Sequence, residues 1–267
     1  MPATHPSDSW DRGDPYEMYV GRWSRLVANQ FLDWLALPLS LRWLDVGCGT
    51  GALAAAIREK CAPAQLIGID PSEGFLAKAR VRLQDHAEFR VAGALDIPLQ
   101  DAALDVVVSG LALNFFPNPA LGLLEMRRTA VAGGTIAAYV WDYAGRMELM
   151  RHFWGAAVEL DGAACALDEG MRFPMCRPAP LEALFRDAQL AAIRVAPIDI
   201  PTLFLDFDDY WTPFLGGQGP APAYAMSLDE ATRHKLRDRI RQRLPIATDG
   251  SIPLVARAWA IQGRVPE

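Results

Sequence analysis

The sequence predicts an α/β protein built on a doubly wound, mostly parallel, seven-stranded sheet. Three observations point there. Strand and helix signals alternate through the first half of the chain. An apolar strand, Leu41 to Val46, runs into Gly47, Gly49 and Gly51 and then into an Ala/Leu-rich helix. A second strand ends on an acid, Asp70, followed by Pro71-Ser72-Glu73, which suits a helix start. Alternation of this kind implies parallel strands joined by right-handed helical crossovers.

Each element can be justified in turn. From Tyr16 to Leu37, Tyr19, Trp23, Leu26, Val27, Phe31, Trp34 and Leu35 recur at three- and four-residue steps, the period of an amphipathic helix. Strand one is Leu41 to Val46, and a helix follows from Ala52 to Cys61. Strand two is Gln65 to Ile69, with a helix to about Leu83. Glu88 to Ala92 is a short third strand. Leu104 to Ser109, with its run of three valines, reads as a strand buried on both faces. Pro119 to Thr129 is a helix, Gly133-Gly134 a turn, and Thr135 to Val140 a fifth strand. Helices over Met147 to Leu160 and Pro180 to Ala188 precede a strand from Leu190 to Ile200. The last strand is Ile252 to Gln262. The final two strands read as a hairpin-like pair. Residues 1–14 are expected to be flexible and 15–267 a single domain, with 204–245 inserted as a cap.

Composition narrows the function. The chain has 267 residues, 51% of them hydrophobic, and a formal charge of −6. That length allows one large domain with an insertion, or two small domains. An acidic balance argues against a nucleic-acid partner, whose phosphates call for a basic face. The basic run Arg233 to Arg243 is interleaved with Asp238 and Gln242 and reads as a solvated helix face. Four cysteines without a CxxC pair suit a reduced compartment without structural zinc. Met1 to Asp14 is polar, without the apolar core of a secretory signal, and no apolar stretch approaches the ~20 residues of a membrane span. A cytoplasmic protein, monomeric or homodimeric, without membrane attachment or bound metal, is the expectation.

The loop after strand one carries the chemistry. Glycines at alternate positions let backbone approach a ligand closely. A dinucleotide loop spaces them G-x-G-x-x-G, whereas here the spacing is G-x-G-x-G. Asp45 stands just before the loop. Bare amides and a helix N-terminus attract anions, so an acid there disfavours a pyrophosphate and favours a ligand with positive charge and no phosphate. S-adenosylmethionine, with its sulfonium and ammonium groups, is such a ligand. Asp70, at the next strand end, suits ribose hydroxyls under either reading.

These segments, in this order, resemble a class I S-adenosylmethionine-dependent methyltransferase of the methyltransferase type 11 group, a Rossmann-like fold. Residues 44–51, Leu-Asp-Val-Gly-Cys-Gly-Thr-Gly, are similar to its first motif. Residues 68–75, 97–99 with 104–109, and 125–128 followed by Gly133-Gly134 resemble later ones, so the likeness covers roughly 15–142. The resemblance implies that Gly47, Gly49 and Gly51 pass the methionine part of the cofactor, with Asp45 near its ammonium group. Asp70 would accept from both ribose hydroxyls, and Pro71 and Phe75 would pack on the adenine. Gly93, Ala94 and Leu95 would read the adenine edge through backbone alone, because the family's acid at that place is here Gly93. Ser109, at the end of strand four, completes the implied cofactor set.

Methyl transfer from a sulfonium is an in-line displacement that needs alignment more than acid–base groups. No catalytic residue can therefore be assigned from sequence; Asn114 and His152 are the candidates. Leu111, Asn114, Phe115, Trp141, Asp142 and Tyr143 follow strands four and five and are candidate walls for the acceptor. Tyr19, Arg22 and Trp23 could form a lid, with Arg22 either meeting the cofactor carboxylate or forming a surface ion pair. Gln218, in the Gly-rich turn of the cap, could close over the pocket. The expected acceptor is a small, partly apolar molecule; a protein or RNA acceptor, or binding of the cofactor without catalysis, are the alternatives.

Overall fold

The computed structural model describes residues 21–217 and 219–267. The chain divides into two compact units. The first comprises Trp23–Trp141, Met175–Ile198 and Ala258–Glu267. The second comprises Asp142–Pro174 and Asp199–Arg257 with the described end of Met1–Arg22. The 204–245 stretch falls within the second unit.

The described part of the expected N-terminal helix is α1 (Arg22–Leu35), which buries Val27, Ala28, Phe31, Leu32 and Leu35 along one stripe. Its Phe31 ring lies 4.6 Å from that of Tyr139. Then come β1 (Arg42–Val46), α2 (Ala52–Cys61), β2 (Gln65–Asp70), α3 (Glu73–Leu83) and β3 (Glu88–Val91). The Ser72 hydroxyl caps α3 by accepting from the Phe75 amide, a cap worth about 1 kcal/mol. β4 (Leu104–Gly110) is buried at Val106, Val107 and Val108. α4 (Pro119–Thr129) starts with proline in its first turn and the Asn118 side chain accepting from Leu121 N. β5 (Ala130–Trp141) ends the regular alternation.

The sheet order is β3-β2-β1-β4-β5-β7-β6, where β6 is Ala191–Phe204 and β7 is Ile252–Arg264. β1 through β5 pair in parallel, and β7 runs antiparallel to β5. Strand order reverses between β1 and β4. A crevice outside the strand C-termini at such a reversal is where open α/β sheets bind ligands. At the opposite end of these two strands Asp105 accepts from the Arg42 amide and guanidinium at 2.7–3.0 Å, which pins their register.

Gly133-Gly134, expected as a turn before the fifth strand, lie inside β5. The pairing jumps from Leu104↔Ala130 to Val106↔Thr135, so they belong to a bulge. Gly133, at φ +72°, takes the left-handed conformation that the bulge requires.

The second unit has its own aromatic core. In it lie α5 (Glu148–Leu160), α6 (Glu169–Arg172), α8 (Phe207–Trp211), α9 (Pro220–Ser227) and α10 (Glu230–Arg243), while α7 (Pro178–Asp187) belongs to the first unit. Phe153 stacks on Phe214 at 4.5 Å, and Trp154 meets Tyr224 at 5.6 Å. The Tyr210 hydroxyl donates to Leu149 O at 2.7 Å. Buried Glu169 accepts from the Trp154 indole N–H, and burial pushes its carboxyl up to about 7. The short helices over 162–172 had no sequence signal. They are held by this tertiary bond and by Asp168, which caps α6 at Gly170 N and pairs with Arg151.

Candidate cofactor site

The site is assembled at the C-terminal ends of β1 and β2, within the first unit. Gly47 and Cys48 both donate to Ile69 O, at 2.8 and 3.0 Å, so the loop starts by folding over β2. Gly47, Gly49 and Gly51 all have positive φ, and Gly51 leads straight into α2. A Cβ on Gly47 would stand 2.6 Å from the Ala112 Cβ. The glycine is therefore needed both for its conformation and for close approach of the segment after β4. A Cβ on Gly49 would meet nothing within 4 Å, so that face of the loop is free for a ligand.

Asp70 organises the loop. Its Oδ2 accepts from Gly49 N at 3.0 Å and its Oδ1 from Ser72 N at 2.8 Å. Burial raises the Asp70 pKa, and these two amides oppose the rise. Each carboxylate oxygen has lone pairs left after one amide, so both ribose hydroxyls can still be received.

Asp45 is only 1% exposed, and neither of its carboxyl oxygens has a hydrogen-bond partner among the described residues. Burial, and then the like charge of Asp70, push its pKa up to about 8. An unpartnered buried carboxyl is costly unless a ligand meets it. The neighbouring Cys48 thiol is also pushed up, chiefly by burial, so it is an inert thiol rather than a nucleophile.

The remaining predicted cofactor positions follow β2 and β3 or lie at the end of β4. Phe75 is buried and Pro71 exposed at the start of α3. Gly93 is exposed, and a Cβ there would meet nothing within 4 Å. Ala94 is buried and Leu95 39% exposed. Across the crevice on the β4 side stand Ser109 and Asn114, both buried. The Ser109 hydroxyl and both polar atoms of the Asn114 amide have no partner among the described residues. Phe116, two residues on, lies 3.6 Å from where a Gly47 Cβ would stand.

The other sequence candidates divide. Trp141 is buried and paired in the sheet opposite Ala258, and Trp23 is half-buried on α1. Arg22 and His152 belong to the second unit. Arg22 donates to Asp209 at 2.8 Å and lies over the Phe204 ring at 4.7 Å. His152 is half-buried, and burial lowers its pKa against the opposing effect of Glu148. Tyr19 and Gln218 lie outside the described residues. Sequence reasoning missed Ala112, whose contact with the glycine loop follows from chain packing rather than residue type, and the local turn in which Asp70 accepts from Ser72 N.

A family model described as a methyltransferase domain matches residues 44–138, the stretch that holds this loop and most of β1 to β5. Over that stretch the chain is similar to a methyltransferase domain. Trans-aconitate 2-methyltransferase of Variovorax paradoxus is 30% identical over 115 residues, 43% of this chain and 44% of that protein. Malonyl-[acyl-carrier protein] O-methyltransferase of Dechloromonas aromatica is 37% identical over 141 residues, 51% of this chain and 52% of its own. The chain thus spans about half the length of the curated relatives it matches. A Haemonchus contortus phosphoethanolamine N-methyltransferase 2, solved with phosphomonomethylethanolamine and S-adenosylhomocysteine, shares the fold at TM-score 0.54 and 14% identity. That match covers 90% of this chain and 53% of the other.

The residues of this site fit S-adenosylmethionine. The orphaned Asp45 carboxyl matches a cationic group, the open face of Gly49 leaves room for it, and Asp70 keeps acceptor capacity for a diol. No helix among the described residues is long and apolar enough to cross a membrane.

Proposed function

We propose that the protein transfers a methyl group from S-adenosylmethionine to a small, partly apolar acceptor in the cytoplasm, as a monomer or homodimer without a nucleic-acid partner. The observation that carries this reading is the buried Asp45 carboxyl, unpartnered at the mouth of a glycine loop that is itself tied to Asp70. Three further facts support the choice of acceptor. The chain is acidic. The polar groups on the β4 side, Ser109 and Asn114, are neutral. Relatives bear the names of trans-aconitate and malonyl-carrier methyltransferases.

When bound, the cofactor supplies an activated methyl group on a sulfonium. The protein's part is to hold and align. Asp70, set by the Gly49 amide, fixes the nucleoside end, Gly47, Gly49 and Gly51 pass the methionine part, Pro71 and Phe75 flank the base, and Gly93, Ala94 and Leu95 line its edge. Asp45 meets the cationic end. Asn114 orients the acceptor by donating from its amide nitrogen and accepting at its amide oxygen, which places the attacking atom in line. Trp141 and Trp23 wall the acceptor. Neutral groups suffice where the acceptor atom is already unprotonated, so no general base is assigned.

Titration of the purified protein with S-adenosylmethionine by calorimetry tests the cofactor half. Incubation with labelled cofactor and a panel of small organic acids and phenols, set against protein and RNA extracts, tests the acceptor half. Label entering only the macromolecular fraction would replace the small-molecule reading.

A further inference from the structure

We infer that Asp45 is a proton-exchanging counter-ion: a neutral acid in the free protein, which gives up its proton to solvent when the positive charge of the cofactor arrives. The inference deepens the cofactor reading above and rests on it.

The geometry carries the argument. Asp45 is 1% exposed, and neither carboxyl oxygen has a partner among the described residues. The groups that act on it come from three directions. From β2 faces Asp70, a like charge that opposes ionisation. From the loop faces the Cys48 thiol, itself kept protonated by burial and by Asp45 and Asp70. The Ala54 amide, in the first turn of α2, favours the anion without meeting hydrogen-bond geometry, and it is outweighed. Arg80 acts on the Cys48 thiol in the opposing sense. A charge so placed has lost its water and gained no cation, so the carboxyl keeps its proton.

An arriving ammonium or sulfonium reverses the balance. It brings the missing opposite charge into a site that excludes water, where a neutral acid would leave that cation unpaired. The O–H bond of Asp45 breaks, the proton passes to bulk buffer, and an ion pair remains. Nothing is oxidised or reduced. A uncharged nucleoside in the same site would have no such effect.

Calorimetric titration at pH 6.5 in several buffers of different ionisation enthalpy reads the proton count directly. That pH keeps the ligand's own amino group charged before and after binding. S-adenosylmethionine should release roughly one proton per site. 5′-Methylthioadenosine, a nucleoside without the charged groups, should bind with almost none. Asp45→Asn should abolish the release with S-adenosylmethionine while still binding 5′-methylthioadenosine, which shows that the variant is folded. Binding of S-adenosylmethionine without proton release overturns the inference and leaves the cofactor reading intact. Undiminished release in Asp45→Asn, or equal release with 5′-methylthioadenosine, also overturns it. Absence of S-adenosylmethionine binding overturns the cofactor reading and the inference with it.

Discussion

Asp70→Ala separates the structural and ligand-binding duties of one carboxylate. In the free protein Asp70 accepts two backbone amides, Gly49 N at 3.0 Å and Ser72 N at 2.8 Å. Hydrogen bonds to a charged group are each worth about 1.5–3 kcal/mol. Removing both is partly offset, because burial already disfavours this charge. A net loss of roughly 2–4 kcal/mol of unfolding free energy follows, read by urea denaturation of the free protein. The same change deletes both acceptors proposed for the ribose hydroxyls, so affinity for S-adenosylmethionine should fall at least about tenfold, or 1.4 kcal/mol. Asp70→Asn keeps one acceptor oxygen but points an NH2 group at the other amide, so it should fall between wild type and alanine. Unchanged stability in Asp70→Ala, within about 0.5 kcal/mol, would refute the idea that this carboxylate builds the loop. Unchanged affinity would refute its contact with ribose.

Three further outcomes follow from the same site. Gly47→Ala adds a Cβ 2.6 Å from that of Ala112 on a residue at φ +72°. The strained backbone alone costs about 1–2 kcal/mol, so denaturation should show at least that loss, and a neutral result would contradict the close approach. Gly93→Asp restores an acid at a place where a Cβ meets nothing within 4 Å and φ is not positive; affinity should rise by about 0.5–1.5 kcal/mol with stability unchanged, and a binding loss would show that this loop does not read the adenine. In the absence of ligand, Asp45 binds more protons folded than unfolded between its ordinary pKa and about 8. Its contribution therefore lowers stability as pH rises through that window, by an amount on the order of several kcal/mol, and is flat above it. Asp45→Asn should flatten the fall, as measured by denaturation at pH 5, 7 and 9; an unaltered slope would show that Asp45 is not the group responsible.

What could be read from the sequence was local. The alternation of strands and helices, the glycine loop and the two acids at strand ends are all short-range patterns, and the structure has the sheet they imply. Asp45 was legible as the unusual residue of the loop, because an acid conflicts with the anion preference of bare amides. Its burial was not, and burial changes the argument: the charge that selects a cation is expressed on binding. The bond from Gly49 N to Asp70 and the contact of Gly47 with Ala112 join residues distant in sequence, and nothing in either residue type announces them. Gly133-Gly134 misled because glycine pairs serve bulges as well as turns. The helices over 162–172 escaped because a buried Glu169–Trp154 bond, rather than periodicity, holds them.

The most direct test is titration of the purified protein with S-adenosylmethionine and, separately, S-adenosylhomocysteine. One saturable site per chain for each ligand, both weakened about tenfold or more in Asp70→Ala, is the predicted result. No heat of binding from either ligand at millimolar concentration would contradict a cofactor site built on Asp45, the glycine loop and Asp70.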